Sequence, residues 1–171
     1  MTIKRLSILC LFFIILSCKK TTDNNQASAE IEIIDEEITE SEISKLNYTE
    51  FTLDSKTQTA IKSWTEYYQL QDHITNIKKG DLSFFNDNES IESFLKKFKE
   101  TIPAKVDTPA ILARITAFET KLYKLQSLSN LNTTKKPELL KTIKEFLEAF
   151  SNLNLQMNKK LEIDSHNIQK P

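Results

Sequence analysis

From Leu139 to Leu161 the apolar residues keep one side of a helix. Leu139, Ile143, Phe146, Leu147, Phe150, Leu153, Met157 and Leu161 share a face, with Lys141, Lys144, Glu145 and Glu148 opposite. At about 100° per residue this is a 3.6-residue period sustained for many turns, and only a long amphipathic helix satisfies it. The segment begins near Pro137 and is the longest of four. Lys141–Glu145 and Lys144–Glu148 stand at i,i+4 spacing, which favours ion pairs along the exposed side.

Three further segments obey the same period. The first is expected from about Thr57 to Lys79, where Ile61, Trp64, Tyr67, Tyr68, Leu70, Ile74 and Ile77 form a wide apolar arc. Ser55 with Gln58 reads as a capping box, and Gly80 stands where a helix ends in the left-handed conformation. Asp81 to Phe85 reads as a further helical turn. In the second segment, capped from Asn86-Asp87-Asn88, Ile91, Phe94, Leu95, Phe98 and Ile102 follow before Pro103. The third opens on Thr108 with Pro109 at its first helical position. Ile111, Ile115, Phe118, Leu122 and Leu125 then step 4-3-4-3, a seam suited to near-antiparallel packing. The fold expected is all-α: an up-down antiparallel bundle of about four helices over residues 51–165, with a frayed tail at 166–171. A single glycine in the chain argues against a strand-rich fold with tight turns and against a glycine-rich phosphate loop.

Ahead of the bundle lies a different kind of sequence. Lys4-Arg5 precede an apolar run from Leu6 to Leu16, eleven residues, whereas a membrane-spanning helix needs roughly 20. A basic start, a short apolar run and a small residue before a cut define a secretory signal. Its end, Ile15-Leu16-Ser17-Cys18, resembles the lipobox of bacterial lipoproteins. That resemblance implies a signal peptide over 1–17, cleavage between Ser17 and Cys18, diacylglycerol on the Cys18 thiol and acylation of the new N-terminus. Cysteine occurs only at positions 10 and 18, so the mature domain has no disulfide and folds on packing alone.

Residues 18–50 read as the lipidated cysteine and a flexible acidic tether. Lys19, Lys20 and Lys45 face nine acidic residues, a net of −6, while residues 51–171 carry a net of +3. From Glu30 to Glu42 there are seven acidic residues and no basic one. Ile31, Ile34 and Ile38 share a helical face while Ile31 and Ile33 alternate as in a strand, so the period is ambiguous. One reading is a self-repelling, extended spacer; the other is a segment that docks its isoleucines on the domain or a partner. Some surface-displayed lipoproteins carry acid directly after the lipidated cysteine. Here Lys19-Lys20 stand in that place, which favours the outer membrane facing the periplasm.

The residues that carry chemistry are few. His73 and His166 are the only histidines; neither follows a Glu at the spacing of a bundle di-iron site, and His-Glu-x-x-His and Cys-x-x-Cys-His are both missing. Both histidines read as solvated. The carboxylates lie on exposed faces with lysines interleaved. No metal, cofactor or catalytic residue is expected, and so mild a charge balance carries no nucleic-acid signature. Trp64, Tyr67 and Tyr68 gather on one helix as core-edge residues or as a contact for a ligand or partner. Arg114, the only arginine after Arg5, borders the apolar seam, where it ties to a carboxylate on the next helix or clamps an anion. Lysines 96, 97, 99, 121, 124, 135, 136, 141 and 144 form a solvated face or a basic flank for anionic lipid. The expectation is a membrane-anchored envelope lipoprotein that is not an enzyme and works through a protein partner as scaffold or accessory. The other reading is a periplasmic ligand- or lipid-binding helical module.

Overall fold

The computed structural model describes residues 37–166. The lipobox, Cys18 and the acidic run through Glu36 lie outside the described residues, as does the tail from Asn167. Among the described residues all regular structure is helical: α1 Glu40–Ser44, α2 Ser55–Ala60, α3 Thr65–Lys78, α4 Asn88–Glu100, α5 Pro109–Ser129 and α6 Lys136–Ser165, with a single 3₁₀ turn at Ser83–Asn86 before α4. None of these helices is long and apolar enough to cross a membrane.

The fold is an all-α bundle, and α5 and α6 form its main hairpin. Thr108 caps α5 by accepting from the Ile111 amide at 3.4 Å, and Pro109 occupies the first turn. The 4-3-4-3 seam Ile111, Ile115, Phe118, Leu122 and Leu125 is buried throughout. It meets the apolar face of α6, where Ile143, Phe146, Leu147, Phe150, Leu153 and Met157 are buried. The Phe118 ring lies 5.1 Å from Phe146 and 6.2 Å from Phe150. Lys121 and Lys124, a turn further along α5, reach back to Glu145, so the helices run antiparallel. The Lys144–Glu148 pair forms as expected, at 3.7 Å. Glu145 instead accepts from Lys121 at 3.0 Å and Lys124 at 2.9 Å, leaving no pair with Lys141. These two ammonium groups hold its carboxyl below the usual range, Lys124 contributing most.

The Asp87 carboxylate caps α4, accepting from the amides of Glu89 and Ser90. Ile91, Leu95 and Phe98 are buried from it, and Phe85 of the 3₁₀ turn packs edge-on to Phe146 at 5.9 Å. Lys99 of α4 pairs with Glu119 of α5 at 2.8 Å.

Two boundaries differ from the sequence expectation. The helix expected from Thr57 to Lys79 is two helices, broken over Ile61–Trp64 with no proline or glycine to signal it. Tertiary packing overrides helix propensity here. The break turns Ile61 and Trp64 fully inward, and the indole N–H donates to the Phe98 carbonyl at 3.1 Å. The cap is Asp54, which accepts from the Thr57 amide at 2.7 Å, rather than a Ser55–Gln58 box; the Gln58 amide donates to the Leu53 carbonyl. At the other end, α6 runs to Ser165, the end expected for the bundle.

The largest correction concerns the tether. Residues 37–50, expected to belong to a flexible spacer, are part of the folded domain. Ile38 and Ile43 are buried to 5% and 3% exposure, and Leu46, Tyr48 and Leu53 pack against the core. The Thr39–Glu42 capping box closes α1, where the Thr39 amide donates to the Glu42 carboxylate at 3.0 Å. The acidic side chains do not repel this segment from the bundle, because Glu42 pairs with Lys136 at 2.9 Å and Glu50 pairs with Lys78.

Candidate functional site

From Leu46 to Asp54 the chain has no regular secondary structure and crosses the bundle as a strap, and its main-chain groups need partners. They find them on α6. The Phe51 amide donates to Ser151 Oγ at 2.7 Å, and that hydroxyl donates to the Thr49 carbonyl at 2.8 Å. Asn154 Nδ2 donates to the Phe51 carbonyl at 3.0 Å. Asn158 brackets the next step, donating to the Thr52 carbonyl at 2.7 Å and accepting from the Asp54 amide at 3.1 Å. Ser151, Asn154 and Asn158 stand at i, i+3 and i+7, one stripe along the helix. Side chains of a helix thus do for this strap what a neighbouring strand does in a sheet.

Tyr67 locks the middle rung. Its hydroxyl donates to Asn154 Oδ1 at 2.9 Å, so the amide is satisfied at both ends. The ring is buried, and burial pushes the phenol well above its ordinary value, keeping the proton that makes the bond. Asn154 is 4% exposed and Ser151 2%, so these are interior bonds whose loss leaves unpaired polar groups.

Where the chain leads into α1, Gly80 has φ +93° and ends α3. Its amide donates to the Ile77 carbonyl at 2.9 Å and the Asp81 amide to the Asn76 carbonyl at 3.1 Å, the Schellman pattern. The expectation for Gly80 holds, and a second constraint joins it: the Ile38 carbonyl oxygen lies where a β-carbon would go.

Between strap and bundle lies a cavity of about 540 Å³. Phe51, Thr52 and Leu53 form one wall; Tyr67, Tyr68, Gln71, Ile74 and Thr75 of α3 and Phe150 and Asn154 of α6 form the other. The Glu50–Lys78 pair stands at its rim, with the Tyr48 hydroxyl 3.5 Å from Glu50. A second, more open hollow of about 610 Å³ lies between α2 and the end of α6, lined by Lys56, Lys105 and Leu161 among others.

Of the four residues singled out as contacts, Trp64, Tyr67 and Tyr68 lie together, the Tyr67 ring 5.7 Å from Trp64 and 5.5 Å from Tyr68, and Arg114 stands apart on α5. Trp64 and Tyr67 are core: Trp64 is fully buried, 4.5 Å ring to ring from Phe98, and Tyr67 packs against Phe150 at 5.9 Å. Tyr68 alone keeps one side open, edge-on to Tyr67 and facing the cavity. Arg114 is exposed on α5 and makes no ion pair among the described residues, because its place on the helix turns it away from the seam. His73 is not a solvated group either. Its ring stacks on Phe84 at 3.9 Å and meets Phe94 edge-on, and burial holds its pKa below the ordinary 6.5 against the pull of Asp72 and Asp81.

Of the lysines read as a possible basic flank, 96, 99, 121, 124, 136 and 144 each pair with a carboxylate, so that face is largely neutralised. No group of three or more His, Cys, Asp and Glu residues that would hold a metal occurs among the described residues. The residues sequence reasoning missed are Ser151, Asn154 and Asn158. Their signal was a hydroxyl and two amides set into or beside an otherwise apolar arc. Comparison with family models, with characterised proteins and with solved structures returns no match.

Proposed function

We propose that the protein is a lipid-anchored lipoprotein of the bacterial envelope whose helical domain is a non-enzymatic interaction module, a scaffold or assembly accessory. The observation that carries the reading is Ile15-Leu16-Ser17-Cys18 at the end of a short apolar run. Lipid on Cys18 holds the chain at the membrane, and two or more acyl chains suffice for stable attachment. Eighteen residues lie between Cys18 and Glu37, so at about 3.5 Å per residue the start of the domain stays within roughly 65 Å of the lipid. The outer membrane, on its periplasmic side, is the preferred site, and the partner is another envelope protein.

The non-enzymatic part of the reading is supported by how the domain uses its inward-facing polar groups. Ser151 and Asn154 hold the strap, Tyr67 holds Asn154, and His73 is stacked between two phenylalanines. Each is committed to structure. The test is Cys18→Ser: the protein should leave the membrane fraction for the soluble one, and retention there would refute the anchor. Crosslinking in cells, followed by identification of what is recovered with the wild-type chain and lost with the soluble variant, tests the partner.

A further inference from the structure

The cavity beneath the strap has the size of a small-molecule site, for which about 300–1,000 Å³ is usual. Its polar groups divide into two sets. Asn154 is engaged at both ends, Gln58 donates to the Leu53 carbonyl, and Thr75 donates to the Gln71 carbonyl. The Gln71 side-chain amide and the Tyr68 hydroxyl make no hydrogen bond among the described residues, and both face the cavity. At the rim stand one cation and one anion, Lys78 of α3 and Glu50 of the strap, with side chains 34% and 50% exposed.

We infer that this cavity binds a small zwitterion with an apolar side chain: an amino acid or short peptide. The rim selects for both charges at once. A ligand with only a carboxylate meets Glu50, and one with only an ammonium meets Lys78; a zwitterion opens the exposed pair and satisfies each half. Exposed ion pairs are weak, so exchanging this one for two new ones costs little. The unengaged Gln71 amide both donates and accepts, and the Tyr68 hydroxyl does the same, which suits a peptide group. Ile74, Phe150 and Phe51 offer the apolar wall for the side chain. A purely hydrocarbon ligand would cover the half-buried Tyr68 hydroxyl without giving it a partner.

The site also ties ligand to strap. Glu50 belongs to the strap and Lys78 to the bundle, so a ligand held by both pins the roof to the floor. The roof is fastened by side-chain bonds from Ser151, Asn154 and Asn158 rather than by a continuous ladder, and it lifts for entry. This inference is independent of the lipid anchor.

The experiment uses the full chain as isolated from its cells in detergent, titrated calorimetrically with the free dipeptide leucyl-alanine. The control is the same dipeptide acetylated and amidated at its ends. Saturable one-to-one binding of the free form, at least tenfold tighter than the blocked form, is expected. Lys78→Met and Glu50→Gln should each weaken it at least tenfold. Hydrogen exchange at the Phe51 and Asp54 amides should slow on binding. No saturable binding at millimolar dipeptide, equal binding of the blocked form, or undiminished binding by both variants would overturn the assignment.

Discussion

A β-carbon on Gly80 would lie 2.3 Å from the carbonyl oxygen of Ile38, a separation no real pair of such atoms tolerates. The only glycine of the chain therefore serves two elements: it ends α3 in the left-handed conformation and leaves room for the Ile38 backbone that leads into α1. Gly80→Ala should cost about 1–3 kcal/mol from the backbone conformation alone. It should also loosen the strap. Proteolysis of the variant should begin between residues 37 and 54 under conditions that leave wild type whole; an unchanged melt and digestion pattern would show that Ile38 does not press on this position.

Asn154 and Tyr67 act as one unit. Asn154→Ala leaves the Phe51 carbonyl and the Tyr67 hydroxyl unpaired in the interior, at about 2–4 kcal/mol for the two. Tyr67→Phe removes one of the same bonds, so the double variant should cost less than the sum of the singles, by about 0.5–3 kcal/mol. Urea titration of the four proteins measures the coupling, and additive losses would disprove the shared bond.

Acid should weaken the domain in two steps. Burial lowers the His73 pKa below 6.5, so the unfolded chain binds the proton more readily than the folded one. That contribution is complete above pH 6.5 and is lost as pH falls through the folded value. Glu42 is held at about 2, against 4.5, chiefly by the Lys136 ammonium and then by the Thr39 amide. Its contribution is complete above pH 4.5 and is lost towards pH 2. His73→Gln should flatten the upper step and leave the lower. Glu42→Gln should reduce the lower step without abolishing it, because Asp54, Asp81, Asp87 and Glu145 are also lowered. Urea midpoints from pH 3 to 8 separate the two steps.

Phe146 touches both Phe118 and Phe85 and is fully buried, so Phe146→Ala should cost about 3–5 kcal/mol. Leu112, 40% exposed on α5, should tolerate alanine within about 0.5 kcal/mol. Equal melting of the two variants would mean that the core-facing side of the hairpin is misassigned.

The helices most legible in the sequence carry their signals locally. For α5, Thr108, Pro109 and the 4-3-4-3 seam lie within one stretch, and for α4 the cap at Asp87 and the apolar face do the same. The break at Ile61–Trp64 has no such signal, since it exists to aim Trp64 at the Phe98 carbonyl on another helix. The strap is illegible for a related reason. Isoleucines among glutamates read equally as spacer or as docking segment until the pocket beside Gly80 and the cations Lys78 and Lys136 are in place. Ser151, Asn154 and Asn158 look like neutral interruptions of an apolar face unless the backbone they hold is known. Arg114 shows the converse: a rare residue type near a seam invites an ion pair to the next helix that is not made among the described residues.

The strap sets an order on the birth of the molecule. Phe51 and Ser151 are 100 residues apart, and Asn158, which fastens Thr52 and Asp54, is made later still. The first part of the domain to be synthesised therefore waits, unfastened, until nearly all of α6 exists. Closing so long a loop is slow relative to forming a helical hairpin. The α5–α6 hairpin assembles from neighbours in the chain, and the strap is laid across it as a last act. A chain folded only as far as Ser151 leaves Ile38 and Ile43 with an incomplete seat, which makes this segment the natural place for a chaperone to hold or a protease to judge the unfinished protein.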